Sequence, residues 1–168
     1  MVKEKKTISL ASAVKVANRV DLQSVKLLAC NCKRTSQCPA GQKAFNVEGN
    51  ARFEVNKEKK LVGVYIRFKL NAFGEKVEQK KANSFLNVEA TFSLLYSINS
   101  LEDLDDTALN SFAEVNGTYN AWPYWREFVQ NITSRMELPT LTVPVFRIAP
   151  TPSKEATKKD EAPVKVKA

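Results

Sequence analysis

AFNVEGNARFEVN, residues 44–56, runs into KEKK at 57–60 and LVGVYIRFKLNAF at 61–73. In the first run Phe45, Val47, Gly49, Ala51, Phe53 and Val55 share one face, and Asn46, Glu48, Asn50, Arg52, Glu54 and Asn56 the other. Side chains two apart in an extended chain point the same way. The period therefore predicts a strand with one face buried and one wet. In the second run Val62, Val64, Ile66, Phe68, Leu70 and Ala72 oppose Tyr65, Arg67, Lys69 and Asn71. The short charged connection at 57–60 makes the two an antiparallel hairpin.

Outward from this hairpin, residues 83–98 predict another strand. Leu86, Val88, Ala90, Phe92 and Leu94 oppose Phe85, Asn87, Glu89, Thr91 and Ser93. The unbroken Leu94-Leu95-Tyr96 run points to burial on both faces there. A polar loop from Phe73-Gly74-Glu75-Lys76 joins it to the hairpin. Upstream, Val25, Leu27 and Ala29 alternate with their neighbours as a strand to Arg34, followed by a loop over 35–43. Before that, Leu10, Ala13, Val14, Ala17 and Val20 keep helical spacing over 9–20, with Ser9 or Ser12 as cap.

Downstream of the strands, Leu101 to Asp106 is an acidic loop. Asp106 or Thr107 can cap a helix over 107–115 with Leu109, Phe112 and Ala113 as its apolar face. A connector at 116–120 leads to a second helix. Asn120 is its expected N-cap and Pro123 falls in its first turn, where a missing N–H costs little. Trp125, Phe128, Val129 and Ile132 then recur at helical steps. Pro139 ends that pattern, and LPTLTVPVF at 138–146 stays extended, barred from a central strand by its prolines.

The fold class is α+β: four antiparallel strands in a meander, with helices packed on one face of the single sheet. A flexible lead at 1–8 precedes one domain over 9–148, and a low-complexity Lys-rich tail follows at 149–168.

A formal net charge of +8, with a pI near 9.4, favours acidic partners, although residues 1–6 and 154–168 hold part of the excess. No apolar run is long enough for a transmembrane helix, and Ser9, Ser12 and Lys15 interrupt anything like a signal peptide. Without such a signal the Asn116-Gly117-Thr118 and Asn131-Ile132-Thr133 patterns are chance matches for glycosylation. Cys30, Cys32 and Cys38 are read as cytosolic free thiols. Three cysteines and no histidine fall short of a four-ligand zinc site, and no cofactor is expected.

The sequence argues against an enzyme. Histidine is absent, Gly74-Glu75-Lys76 lacks the upstream glycine of a phosphate loop, and residues 102–106 lack the spacing of a calcium loop. Tyr65, Arg67 and Lys69 on one strand face look like a single-stranded nucleic-acid surface. The same residues also fit an ordinary solvent face, as the mixed charges of 44–56 do.

The last strand and the C-terminal third carry a family likeness. NVEATFSLLYSI at 87–98, WPYWREFVQNITSR at 122–135 and LPTLTVPVF at 138–146 resemble SecB, the bacterial protein-export chaperone. The family shows an aromatic-Pro-Tyr-x-Arg-Glu helix head and a double-proline ending, and the likeness covers 22–146. It implies a cytoplasmic, ATP-independent holdase for non-native polypeptide, assembled as a homotetramer, a dimer of dimers. Clients of that family lie in apolar grooves between sheet, crossover loop and long helix. Phe92, Leu94, Tyr96, Tyr119, Trp122 and Trp125 match those positions here, with Phe128 and Ile132 as core or interface. Glu89 matches an acidic position that docks the SecA motor. The chain departs from the family pattern in its basic charge, its Lys-rich tail and its extra helix at 9–20. The resemblance thus implies either general export or the SecB-like type that chaperones an antitoxin.

Overall fold

The computed structural model describes residues 8–35, 37–39, 43–74 and 84–147. The expected tail at 149–168, the lead apart from Ile8, and most of the polar loop after Gly74 lie outside these residues. The chain order is α1 (Leu10–Ala17), β1 (Val20–Arg34), β2 (Lys43–Asn56), β3 (Leu61–Gly74), β4 (Leu86–Ile98), α2 (Asp106–Phe112), a π-helical turn (Ala113–Gly117) and α3 (Thr118–Arg135).

The hairpin forms as the alternation predicts. Its register is unbroken from Lys43↔Gly74 to Asn56↔Leu61. The turn closes because the Asn56 side chain accepts the Lys59 N–H at 2.9 Å and Lys60 adopts a positive φ of 50°. β4 then pairs with β3 from Leu61↔Ser97 to Ala72↔Leu86. The core-face residues named for β3 and β4 are all buried, and Phe85, expected on the opposite face, precedes β4 and is buried in the core as well. Leu95 faces the other way and is half-buried.

The sheet is antiparallel, four-stranded and covered by helices on one face, but it is not a simple meander. Its order is β1-β4-β3-β2, so β1 lies beside β4 and not beside the strand that follows it. This is the Greek-key ordering, with β2, β3 and β4 joined in sequence and β1 added to the far edge. β1 also begins earlier than its alternation indicates. Register shifts between Leu22 and Ser24 and between Leu27 and Ala29 break it. Each bulge inserts an extra residue and switches the faces, which hides the period of two.

The helical part is continuous from Asp106 to Arg135. There is no connector at 116–120, and Asn120 is not an N-cap. The start is instead capped by Asp105, which accepts the Ala108 N–H at 2.7 Å. Asn116-Gly117 looks like a break in sequence, yet Gly117 serves a close approach. A Cβ there would lie 2.7 Å from Val64 Cγ1 and 3.3 Å from Ile66 Cδ1. The π-turn carries the helix past β3 at this point. Pro123 consequently sits inside α3 rather than in a first turn. Its missing N–H removes the donor that would meet the Tyr119 carbonyl.

At its other end α3 stops in a Schellman motif. Leu138 N–H donates to Thr133 O at 3.0 Å and Glu137 N–H to Ser134 O at 3.1 Å, with Glu137 at φ 53°. The motif turns the chain back along α3. α1, capped by Ser9 at Ser12 N, packs on α2, where Ser9 N–H donates to Ser111 Oγ at 3.2 Å.

Candidate functional site

α3 crosses the apolar face of the sheet and divides it into two flanks. Trp125 is the wedge beneath the helix, fully buried. Its ring stacks on Phe68 of β3 with centroids 5.3 Å apart and on Phe128 at 6.2 Å. Phe128 meets Phe92 of β4 edge-on at 6.4 Å. On the other side Trp122 meets Phe68 edge-on at 5.3 Å and Phe146 at 5.2 Å. The rings form one cluster: Phe146–Trp122–Phe68 leads into a closed set of Phe68, Trp125, Phe128 and Phe92, with Phe68 and Phe92 6.2 Å apart. Such pairs add to area burial by about 0.5–1.5 kcal/mol each.

The first flank faces β1. Phe92, Leu94 and Tyr96 are its floor, and their partners across the ladder are Leu27, Val25 and Leu22. Leu22 and Leu27 are 43% and 46% exposed, because β1 is an edge strand that α3 does not reach over. Tyr124, 47% exposed, lies one helical turn before Phe128 and so on the same side of α3. Asn120 closes the upper end, donating to the Tyr96 hydroxyl at 3.0 Å. Burial pushes the Tyr96 phenol above its ordinary range, and the Asn120 hydrogen bond pulls against that.

Along the second flank runs the segment after the Schellman turn. Tyr119, Trp122 and Arg126 fall on this side of α3, three and four residues apart. Arg126 Nε donates to Val143 O at 2.8 Å and Trp122 Nε1 to Pro144 O at 2.7 Å.

The six residues expected to form a groove therefore divide. Phe92, Leu94 and Tyr96 come together under the β1 flank, and Tyr119 and Trp122 sit on the other. Trp125 separates the two. Phe92, Leu94, Tyr96 and Trp125 are all buried within the single chain; Tyr119 is 56% exposed and Trp122 is half-buried. Sequence reasoning did not single out Leu22 and Leu27, whose facing is set by the bulges, nor Arg126, whose partner is a backbone carbonyl. Phe68 was legible only as a core-facing strand residue.

The opposite face of the sheet is a lattice of paired charges. Glu89 accepts from Arg67 Nε at 2.6 Å and lies 3.8 Å from Lys69 Nζ. Arg52 meets Glu54 at 2.7 Å and covers the Tyr65 ring at 4.2 Å. Tyr65 donates its hydroxyl to Glu54 at 3.1 Å. The basic groups expected to attract a polyanion are thus partly offset, because Arg67 and Lys69 share the one Glu89 carboxylate. A shallow concavity of about 450 Å³ lies on this face, lined by Asn46, Asn71, Asn87, Lys33 and Glu89 among others. On the β1 edge Cys30 is exposed and Cys32 half-buried; burial, then the neighbouring Cys30, pushes the Cys32 thiol up.

No family model matches the sequence, and no curated protein matches it at significance. Solved structures do. The Mycobacterium tuberculosis SecB-like chaperone in complex with a ChAD peptide from the HigA1 antitoxin superimposes with a TM-score of 0.71. The match is 20% identical and covers 81% of this chain and 97% of that one. The fold is SecB-like. A protein of unknown function from Streptococcus agalactiae also aligns, at a TM-score of 0.39 and 9% identity over 74% of this chain and 96% of that one. Among the described residues, no helix is long and apolar enough to cross a membrane.

Proposed function

We propose that the protein is an ATP-independent holdase that binds extended, non-native polypeptide on the apolar flanks of α3. One observation carries this reading: Leu22, Leu27 and Tyr124 stay exposed around the Phe92–Phe128 contact on a SecB-like fold. Apolar groups bordering a ready floor suit clients that are themselves extended and apolar. Tyr119 and Trp122 take the client on the other flank. Phe92, Leu94 and Tyr96 under the β1 flank, and Trp125 between the flanks, are buried and meet the client only where α3 lifts.

The client reading is supported by the antitoxin peptide carried by the M. tuberculosis relative. Between an antitoxin and export clients, the wet face favours the first. Docking on an export motor through Glu89 would require that carboxylate to leave Arg67 and Lys69. The assembly proposed is a homotetramer, a dimer of dimers, in the cytoplasm. β1 is an edge strand of 15 residues, its outer side facing no strand among the described residues and Leu28 55% exposed, and such edges demand cover.

The deciding experiment is suppression of aggregation of a chemically unfolded model protein without nucleotide. Protection at a stoichiometric ratio of chaperone is expected; unchanged aggregation at large excess would refute the reading. Light scattering tests the assembly, with a mass near four chains expected and a stable monomer against it.

A further inference from the structure

Residues 138–147 lie along α3 in the opposite direction to it. Leu138, Leu141 and Val143 are buried, whereas Pro139, Thr140, Thr142, Pro144 and Val145 are exposed. Past Leu138, no backbone–backbone hydrogen bond joins this segment to the rest of the described residues. Its carbonyls are held by side chains instead, Val143 O by Arg126 Nε and Pro144 O by Trp122 Nε1. Prolines 139 and 144 offer no N–H, so the segment cannot be drawn into a ladder. A cleft of about 240 Å³ remains between Pro123, Arg126, Glu127 and Gln130 of α3 and Leu141, Thr142 and Val143.

These are the features of a bound peptide more than of a structural element. The contacts recognise an extended backbone and apolar side chains two or three residues apart, Leu141, Val143 and Phe146, and none of them reads a particular sequence. We propose that the seat formed by Trp122, Arg126 and Phe68 is a binding site for extended polypeptide, and that residues 139–147 are its resident occupant. An incoming segment with apolar residues at a similar spacing takes the same two donors and the same aromatic edge, and the resident segment leaves. This rests on the holdase reading for its purpose, but the seat exists or fails independently of it. A releasable occupant lowers the apparent affinity of every client by the fraction of time that the seat is filled. It also keeps the Trp122–Phe68 edge from water when no client is present.

The test uses the full chain and a labelled synthetic peptide of residues 138–147. A Val143→Ser, Phe146→Ala variant, which loosens the resident segment, should bind that peptide at least fivefold tighter than wild type. Adding Arg126→Gln to the loosened variant should remove most of that gain. Hydrogen exchange on the unmodified protein provides the second readout, with amides of 141–147 exchanging at least tenfold faster than those of Trp125 to Thr133. Equal peptide binding by wild type and the loosened variant, or protection of 141–147 equal to that of α3, overturns the proposal. Should aggregation suppression fail while the loosened variant still captures the peptide, the holdase reading falls and the seat stands.

Discussion

Gly117 and Val64 meet so closely that the glycine's lack of a side chain decides how the long helix crosses the sheet. A Cβ at Gly117 would lie 2.7 Å from Val64 Cγ1, a methyl group on a buried strand with nowhere to retreat. Gly117→Ala is expected to destabilise the fold by about 1–3 kcal/mol, the usual cost of overpacking. Adding Val64→Ala should cost less in that background than it does alone, because the two changes relieve one another. Urea unfolding of the four proteins measures this, and strict additivity would mean that the approach is looser than it looks.

Glu137 is a case of the opposite sign. It holds the left-handed position of the Schellman motif, at φ 53°, without the freedom of a glycine. Glu137→Gly should stabilise the protein by about 1 kcal/mol, since an L side chain in this region is strained by roughly that much. A rise in the midpoint of thermal unfolding is expected, and a fall would show that the Glu137 side chain does more than fill the turn.

The hairpin was legible because its two faces meet different media. Val62 to Ala72 must be apolar and Tyr65 to Asn71 need not be, so the period of two survives in the composition. β1 was less legible for two reasons. Bulges after Leu22 and Leu27 shift the pattern by one residue, and an edge strand tolerates Lys, Asn and Leu alike on a half-open face. Its place beside β4 has no local signal at all, since β2 and β4 both offer an apolar face to pair beside. The continuity of α2 into α3 was hidden by Gly117, which reads as a breaker until Val64 is seen opposite it. At the candidate site the residue types were readable, but not which of them end under the helix. Trp122 and Trp125 look alike in sequence, and only the helical phase against Phe68 makes one a half-open rim and the other a wedge.

Tyr96 gives the fold an alkaline limit. Burial raises its phenol pKa above the ordinary value, with the Asn120 hydrogen bond opposing. The folded state therefore keeps the proton to higher pH than the unfolded state does. This contribution to stability is complete below pH about 10 and is lost as pH rises through the folded value. Wild type should lose unfolding free energy more steeply than Tyr96→Phe above pH about 10, and the two should run parallel below it. Denaturant titrations on either side of that pH decide the point, and identical slopes throughout would remove Tyr96 as the cause.

The Glu89 cluster separates the chaperone reading from the nucleic-acid reading. With Arg67 and Lys69 both directed at one carboxylate, the sheet face of wild type should bind a single-stranded oligonucleotide weakly and with a shallow dependence on salt. Glu89→Gln removes one negative charge from between the two cations, so oligonucleotide affinity should rise and its salt slope steepen by about one phosphate contact. Stability should change little, because these pairs are largely exposed and such pairs are worth about 0–1 kcal/mol. Tight, strongly salt-dependent binding by the wild type would instead make the sheet face a nucleic-acid surface.

Exposed and buried aromatics around α3 should separate in the same way under mutation. Tyr119→Ala and Tyr124→Ala remove side chains that are about half exposed, and each should leave stability within about 0.5 kcal/mol. On the holdase reading both should weaken client capture severalfold, with Leu27→Ser doing the same from the β1 side. Trp125→Ala belongs to the other class, and its cost should be about 3–5 kcal/mol because it empties a fully buried place in the aromatic cluster. Trp125→Phe should be far milder, since the indole N–H is buried without a partner and its loss removes an unsatisfied donor. Paired measurements of unfolding and of aggregation suppression resolve the two classes. If Tyr119→Ala and Tyr124→Ala left capture untouched while every loss of capture followed loss of stability, the flanks of α3 would not be where clients bind.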